Sequence, residues 1–262
     1  MRILYPENPL DKAQADGPYQ EEFKALTIGG YTCSLFDFDM LQFGEFKPHP
    51  QLPTGEQILY RGWMLSPEGY EQLASEVTRK KARLITSYKH YLRCHHLPHW
   101  YQQCASLTAK THFFPYDDAL QRNLEQLGWT RYFIKDFVKS NTAELGSIAN
   151  SPTEALKIVE EIAQYRGQIE GGIAVRQVES YKPGTEQRYF IVRGRPFSQN
   201  QYIPDIIRQV ADIVDAPFYS ADIVENTAGD YRLVELGDGQ VSDKKNWPLS
   251  KFIDVIAAIA AS

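Results

Sequence analysis

Two acidic residues lie in the middle of two neighbouring β-prone stretches in the C-terminal part of the chain. Asp222 belongs to residues 218–224 and Glu235 to residues 231–236, with turn-forming residues 226–230 between them. Burying a carboxylate in mid-strand is costly unless a cation accompanies it. Hard oxygen ligands of this kind suit Mg²⁺, which proteins usually hold through one or two carboxylates plus phosphate oxygens. The pair is therefore a candidate magnesium site.

The pairing register of the two stretches decides whether the carboxylates meet. If Glu225 pairs with Tyr231, Glu235 falls opposite Ala221 and diagonal to Asp222. A one-residue bulge would bring the two carboxylates directly opposite each other.

Cationic side chains in predicted strands could complete such a site around an anion. Lys135 and Lys139 are four residues apart, so they share one face of either a strand or a helix. A polyphosphate between them would relieve their repulsion, although two solvated lysines explain the pair better when it is taken alone. Arg188 lies in mid-strand and needs a carboxylate or a phosphate as its partner. Salt bridges from Arg188 or Arg232 to the two acidic residues fit the spacing as well as a magnesium site does.

A second concentration of reactive side chains lies at residues 94–104. Its residue types suit zinc, but adjacent histidines rarely share one metal, and the spacing matches no closed structural site. A helix face with partly buried histidines is the favoured interpretation. The side chains are Cys94, His95, His96, His99 and Cys104.

The composition restricts the class of protein. Of the 262 residues, 43% are hydrophobic and 13% aromatic, which favours a folded chain because disordered chains are poor in aromatics. The net charge of −5 argues against non-specific nucleic-acid binding, which needs a basic excess. The longest apolar run, residues 255–261, is shorter than the roughly 20 residues of a membrane span, and no signal peptide is evident. The three cysteines imply no disulfide framework, so we expect a cytoplasmic protein without membrane partners.

The predicted elements change character near residue 105. Before this point strands alternate with helices, and the opening β-α-β order suggests an open parallel sheet. After it, hairpin-like strands with helices on one side describe the chain better. Residues 8–18 carry proline, glycine and aspartate and are expected to form a loop. Residues 90–104 are expected to be helical, with Pro98 marking a helix start or a kink.

Common nucleotide and hydrolase motifs are absent from the sequence. It contains neither G-x-x-x-x-G-K-[ST] nor G-x-G-x-x-G, and neither H-E-x-x-H nor G-x-S-x-G. A bound nucleotide would therefore need another fold.

The order of these features resembles the ATP-grasp superfamily, in particular the clade named for one arginine and two lysines, found in bacteria and phages. Strand lysine, small loop, hinge strand, strand arginine, Asp strand and Glu strand follow one another as in that superfamily. The segments that carry the resemblance span nearly the whole chain. They are YRGWML (60–65), LITS (84–87), HHLPHWY (95–101), FIKDFVKS (133–140), GGIAVRQVES (171–180), EQRYFIVRGRP (186–196) and VELGDGQVS (234–242).

The resemblance implies an α/β and α+β fold. A small Rossmann-like pre-ATP-grasp domain would cover residues 1–105, and the ATP-grasp domain residues 106–262. Two α+β subdomains, about 106–170 and 171–262, would hold ATP between them.

The resemblance also implies roles for individual residues. Lys135 and Lys139 would contact the nucleotide phosphates, and Arg188 would face the γ-phosphate or an acyl-phosphate. Arg176 corresponds to the arginine of the clade. The hinge strand would hold adenine largely through the backbone groups of Gln177, Val178 and Glu179.

The magnesium ligands would be Asp222 and Glu235. The family pattern continues Glu-x-Asn, but this sequence has Gly237 at the third position. Asp238, one residue later, or Gln240 would then supply the third ligand.

The chemistry implied is that of an ADP-forming ligase that uses ATP and Mg²⁺. A small-molecule or peptide carboxylate attacks the γ-phosphate, and an amine or similar nucleophile then displaces phosphate from the acyl-phosphate. An ATP-dependent phosphotransferase and a non-catalytic nucleotide-binding module are the alternatives. The N-terminal domain offers aromatic and basic side chains for the acceptor, with Trp63 assigned instead to a domain interface. These candidates are Tyr60, Arg61, Trp63, His95, His96, Trp100 and Tyr101.

Overall fold

A computed structural model of the protein describes residues 1–138, 140, 144–167 and 169–261, and these residues build three β-sheets with helices packed on them. The first sheet is mainly parallel, and the other two are antiparallel. Within the described ranges, no helix is both long and apolar enough to cross a membrane.

The first sheet lies in the N-terminal part. Its strands are β1 (Arg2–Asn8), β2 (Asp11–Ala15), β3 (Cys33–Phe36), β4 (Gln57–Tyr60) and β5 (Arg83–Leu84). Strands β1, β3, β4 and β5 pair in parallel, as the opening β-α-β pattern predicted. The prediction of a loop over the whole of residues 8–18 was wrong. Asn8 Oδ1 accepts hydrogen bonds from the N–H groups of Leu10 (2.8 Å) and Asp11 (3.2 Å), which closes a turn and lets β2 return antiparallel to β1.

The helices of this part follow local capping signals. They are α1 (Gln20–Ile28), α2 (Phe38–Leu41), α3 (Pro67–Arg79), α4 (Tyr88–His95) and α5 (Leu97–Cys104). Ser66 caps α3 by accepting a hydrogen bond from the N–H of Gly69. Residues 90–104 are helical as predicted except at His96, which is extended and separates α4 from α5. Pro98 lies in the first turn of α5, so it marks a helix start and not a kink. The N–H of Leu97 instead donates to the carbonyl of Phe137 (2.9 Å), which fixes the junction near the lysine strand.

The second sheet has the order β6-β9-β7-β8. Its elements are β6 (Thr111–Phe114), α6 (Leu120–Leu127), β7 (Tyr132–Asp136), β8 (Ile148–Ala149), α7 (Pro152–Arg166) and β9 (Ile173–Gln177). Ile134 and Val175 pack with α6 and α7 on one face. Lys135 pairs with Ala174, and Phe133 with Arg176, so the lysine and the arginine share the opposite face.

The third sheet is antiparallel in the order β11-β10-β12-β13. Its elements are β10 (Gln187–Val192), β11 (Arg195–Phe197), α8 (Asp205–Ile213), β12 (Phe218–Glu225), β13 (Tyr231–Asp238) and α9 (Leu249–Ala260). Helix α9 packs through Phe252 and Val255 in one core with Ile3 and Tyr5 of β1. The change from the second sheet to the third follows β9. The domain bounds, including the subdomain limit near residue 171, stay a prediction.

Candidate active site

The two strand carboxylates are paired across the third sheet. Asp222 on β12 lies in register with Glu235 on β13, and Glu225 lies opposite Tyr231. The register shifts between Asp222 and Ile223, which is the one-residue bulge considered from the sequence. The two carboxylates therefore emerge side by side on one face of the sheet.

Asp222 is held by two cations. Arg188 donates from Nε to Oδ1 and from Nη2 to Oδ2, both at 2.8 Å, and Lys245 Nζ donates to Oδ2 at 2.8 Å. Burial raises the pKa of the Asp222 carboxyl, but the hydrogen bonds and charge of Arg188, together with Lys245, outweigh it and hold the pKa below its usual value. Asp222 is therefore ionised at neutral pH.

Glu235 meets the lysine strand. Lys135 Nζ donates to Glu235 Oε1 at 2.8 Å, which connects the second sheet to the third. The Lys135 side chain is only 3% exposed, whereas that of Glu235 is 38% exposed. The glutamate thus keeps one side open to solvent. Lys139, the second predicted phosphate lysine, lies outside the described residues.

A cavity of about 560 Å³ opens beside these charges. The third sheet contributes Arg188 and Glu235, the N-terminal part contributes Arg61 and Trp63, and α4 contributes His95. Small-molecule sites commonly have about 300–1,000 Å³. The cavity is large enough for the reacting groups of two substrates, and its walls come from elements far apart in the sequence.

His95 faces this cavity as a neutral imidazole. It is 7% exposed and stacks on Tyr91, with ring centroids 4.9 Å apart. Burial lowers the pKa of His95 to about 4, an effect that the charge of Glu170 only partly opposes. The ring nitrogens make no hydrogen bond to any residue in the described ranges. His96 instead contacts Glu170 Oε1 at 3.2 Å.

The cysteines near these histidines belong to a hydrophobic core. Cys94 and Cys104 are fully buried beside Trp100, and burial raises the pKa of both thiols. Among the described residues, no three or more His, Cys, Asp or Glu side chains are grouped so that they could hold a metal ion. The arrangement fits the helix-face interpretation of this segment.

Arg61, one of the residues predicted to bind the acceptor substrate, uses all three of its guanidinium nitrogens in hydrogen bonds within the protein. It binds both oxygens of Glu22, and its Nη1 donates to the carbonyls of Gly239 (2.7 Å), Gln240 (2.9 Å) and Ser242 (3.0 Å). Arg61 therefore positions the segment after β13. Glu22 and Lys245 were missed from the sequence, because their partners are distant and no local pattern marks them.

Asp238 lies apart from the carboxylate pair. Strand β13 continues through Asp238, which pairs with Tyr219, and side chains alternate along a strand. Asp238 therefore lies on the face opposite to Glu235. Its Oδ1 accepts from the backbone N–H and the side-chain Nε2 of Gln240, both at 3.0 Å, and burial raises its pKa to about 7. The structure does not bring Asp238 or Gln240 to Asp222 and Glu235.

Gly237 lies on the same face as Glu235. A Cβ atom at this position would lie 2.8 Å from Ser242 Oγ and 2.9 Å from Ser220 Oγ. The two hydroxyls are themselves hydrogen-bonded at 2.8 Å. The asparagine that the family pattern predicts at this position would therefore require at least one of the two serine side chains to shift.

The predicted hinge follows the end of β9. Arg176 is buried and donates from Nη1 to the carbonyl of Val234 (2.7 Å), next to Glu235. Glu179 binds Arg232 through both oxygens, each at 3.0 Å, so Arg232 is a partner of the hinge and not of the carboxylate pair. Arg176 of the second sheet thus helps to position β13 through this hydrogen bond to its main chain. The assignment of Gln177, Val178 and Glu179 to adenine stays a prediction.

Comparison with solved structures shows a shared fold over the whole chain. D-cycloserine synthetase DcsG has a TM-score of 0.64 at 13% identity, covering 98% of this chain and 99% of that one. The D-alanine–D-alanine ligase from Coxiella burnetii has 0.64 at 13%, covering 99% and 95%. The macrocyclase MdnC, bound with precursor peptide MdnA, from Microcystis aeruginosa MRC has 0.64 at 13%, covering both chains fully at 100%. At such identities the likeness concerns the fold alone.

Sequence comparison identifies the family. Among curated proteins no match was found. The sequence profile described as the ATP-grasp domain, R2K clade family 3, matches residues 126–256, which is half of the chain and includes Lys135, Arg188 and both strand carboxylates. The expected superfamily and fold are confirmed, and the chain belongs to the R2K clade of ATP-grasp proteins.

Proposed function

We propose that the protein is an ATP- and Mg²⁺-dependent ligase that joins a carboxylate to an amine through an acyl-phosphate and releases ADP. The observation that carries the proposal is the in-register pair Asp222 and Glu235, placed beside Lys135 and Arg188 at the wall of the cavity. Family membership supplies the expectation that these charges serve a nucleotide.

The cations of the site suit a polyphosphate. Lys135, Arg188 and Lys245 reach the same pair of carboxylates from two sheets and one loop. Arginine binds phosphate oxygens through its planar fork, and lysine acts as a compact point charge. In the proposed reaction these groups neutralise the nucleotide phosphates and hold the γ-phosphate towards the cavity.

The carboxylates fit magnesium as a partner of the phosphates. Two carboxylates with hard oxygen donors are a usual protein contribution to Mg²⁺, the phosphates supplying further ligands. Glu235 has one side open, whereas Asp222 would have to exchange one of its cations. When bound, Mg²⁺ would neutralise phosphate charge and polarise the γ-phosphoryl group.

The bond changes require no protein nucleophile. The substrate carboxylate oxygen forms a bond to the γ-phosphorus while the bond to the β,γ-bridging oxygen breaks and ADP leaves. The amine nitrogen then bonds to the acyl carbon, the carbon–oxygen bond to phosphate breaks, and a proton leaves the nitrogen. The protein contributes position and charge, which are the main sources of catalysis in such transfers.

The substrates are proposed by class. The similar structures are named for D-cycloserine synthesis, for D-alanine–D-alanine ligation and for a macrocyclase bound with its precursor peptide. A small-molecule or peptide carboxylate and an amine are consistent with the cavity size and with the polar and apolar residues around it. We place this reaction in the cytoplasm, where ATP is available.

The proposal is tested by product analysis. The protein is incubated with ATP, Mg²⁺ and panels of amino acids and short peptides, with and without hydroxylamine, which traps acyl-phosphates as hydroxamates. ADP release together with a hydroxamate supports the ligase. A phosphorylated product that resists hydroxylamine indicates a phosphotransferase, and nucleotide binding without ADP release indicates a binding module.

Two lysine variants test the assignment of Lys135 to the nucleotide phosphates. Lys135→Ala removes a phosphate counter-charge and should weaken ATP binding about tenfold or more, equal to about 1.4 kcal/mol. Lys157→Ala, on the exposed side of α7, is the matched control. Equal ATP affinities for the two variants would refute the role of Lys135.

A further inference from the structure

One cation of the site differs from the others in how it is held. Lys245 lies in the segment between β13 and α9, and its Nζ contacts Asp222 Oδ2 at 2.8 Å and Glu186 Oε1 at 2.6 Å. Its side chain is 35% exposed, whereas that of Asp222 is 2% exposed. The ammonium therefore covers the buried carboxylate from the solvent side.

The backbone that carries Lys245 is fixed independently of this contact. Arg188 Nη1 binds both the carbonyl (3.0 Å) and the side chain (2.7 Å) of Asp243, whose Oδ1 also accepts the N–H of Lys245 at 3.1 Å. The indole of Trp247 donates to the carbonyl of Arg188 at 2.9 Å. Since these bonds leave out the lysine ammonium, its flexible four-carbon stem can move while the segment stays in place.

The two cations on Asp222 are not equally exchangeable. Arg188 makes two parallel bonds to Asp222, is bound again by Asp243, and is only 10% exposed. Lys245 makes one bond to Asp222 and reaches solvent. The Lys245 ammonium is shared with Glu186, so Asp222 holds it through one of two contacts. A competing cation would displace the lysine first.

We propose that the Lys245 ammonium occupies, in the nucleotide-free protein, the place on Asp222 that a divalent cation takes once nucleotide is bound. The inference rests on the proposed function, because it assigns Asp222 to a metal–nucleotide site. Before nucleotide binds, a divalent ion would have to replace Lys245 while Lys135 and Arg188 repel it. Nucleotide phosphates offset that repulsion, and Lys245 lines the same cavity, so the displaced ammonium can turn towards them. The divalent cation therefore enters with the nucleotide and not before it.

The test measures Mn²⁺ binding by calorimetry in the absence of nucleotide. Mn²⁺ is the probe because it prefers the same oxygen ligands as Mg²⁺. Lys245→Met removes the competing ammonium. Lys244→Met is the matched control: it removes the same charge from the wall of the same cavity, and the Lys244 side chain makes no ion pair with any described residue.

The expected result is that Lys245→Met binds Mn²⁺ about fivefold or more tightly than both the wild type and Lys244→Met, the scale of one partly exposed ion pair. Lys245→Arg keeps the charge and should bind Mn²⁺ as weakly as the wild type, which separates the effect from a folding defect. Equal Mn²⁺ affinities for Lys245→Met and Lys244→Met, or no binding by either, would overturn the inference. A wild type that binds no Mn²⁺ even with ATP would overturn the proposed function instead.

Discussion

Two arginine–carboxylate pairs lie beside the same cavity, which is lined by both arginines, and they use the same fork geometry. Arg61 binds both oxygens of Glu22 at 2.8–2.9 Å, and Arg188 binds both oxygens of Asp222 at 2.8 Å. We name the first, with the carbonyls it binds, the N-terminal network. We name the second, with Lys245, the C-terminal network.

The two networks end in different partners. In the N-terminal network the remaining donor of Arg61 goes to three main-chain carbonyls, and Glu22 also accepts from the hydroxyl of Tyr5 at 2.7 Å. In the C-terminal network the remaining bonds of Arg188 go to one main-chain carbonyl and to the side chain of Asp243, and Asp222 also binds Lys245. The side chains of Asp243 and Lys245 reach solvent. Backbone partners cannot leave without unfolding, whereas exposed side chains can. The first network therefore maintains the structure, and the second is able to exchange partners with a ligand.

The largest effect is expected in the N-terminal network. Arg61→Met leaves the Glu22 carboxylate buried without its cation and removes a donor from three carbonyls, and breaking a buried pair costs about 3–5 kcal/mol. Urea denaturation should show a loss of that size in the free energy of unfolding. Arg208→Met, at an exposed and distant pair on α8, is the control and should change it by less than about 0.5 kcal/mol. Similar losses for the two variants would contradict the structural role of the N-terminal network.

A buried carboxylate that belongs to neither network sharpens the comparison. Cations lower the pKa of Asp222, whereas burial raises the pKa of Asp238 to about 7. Because the folded pKa lies above the unfolded value of 3.8, the unfolding free energy contributed by Asp238 is present below pH 4 and is lost as pH rises through 7. Asp238→Asn should remove that loss and stabilise the protein at pH 8 by about 2–4 kcal/mol.

This prediction is checked by urea denaturation of the wild type and Asp238→Asn at pH 5 and pH 8. The variant should also keep Mg²⁺-dependent ATP binding, because Asp238 faces away from Glu235. Destabilisation at pH 8, or loss of nucleotide binding, would show that Asp238 is paired with a cation or serves the site.

The smallest of the three effects is expected at Glu235, the strand carboxylate that is open to solvent. Glu235→Gln can still accept a hydrogen bond from Lys135, so the fold should persist, but the lost charge should weaken Mg²⁺-dependent ATP binding about 10–100-fold, or 1.4–2.7 kcal/mol. Glu225→Gln, which removes an ion-paired glutamate from the same sheet, is the control. Calorimetric titration with ATP and Mg²⁺ measures both. Unchanged affinity in Glu235→Gln would contradict its assignment.

The carboxylate pair could be predicted from sequence because its geometry is local. Turn residues between β12 and β13 set Glu225 opposite Tyr231, and one bulge then aligns Asp222 with Glu235. Lys135 was considered because of its spacing from Lys139, and its assignment to phosphate came from the family resemblance. Such features depend on alternation and turn chemistry, which short segments encode.

The partners of these residues could not be predicted in the same way. Arg61 binds carbonyls about 178 residues away, and Lys245 lies in a loop where no periodicity sets the direction of a side chain. Asp238 was considered a ligand because it lies one residue after Gly237, where the family pattern has asparagine. Since β13 runs on to Asp238, alternation turns that carboxylate to the other face.

Thermal unfolding of the wild type with ATP, with Mg²⁺ and with both tests the central claim that the charges around Asp222 and Glu235 bind a magnesium nucleotide. A ligand that binds only the folded state stabilises it, by about 2.7 kcal/mol at 100 times its dissociation constant. The account predicts a raised midpoint only when ATP and Mg²⁺ are present together. An unchanged midpoint at millimolar nucleotide, or an equal rise with ATP alone, would contradict it.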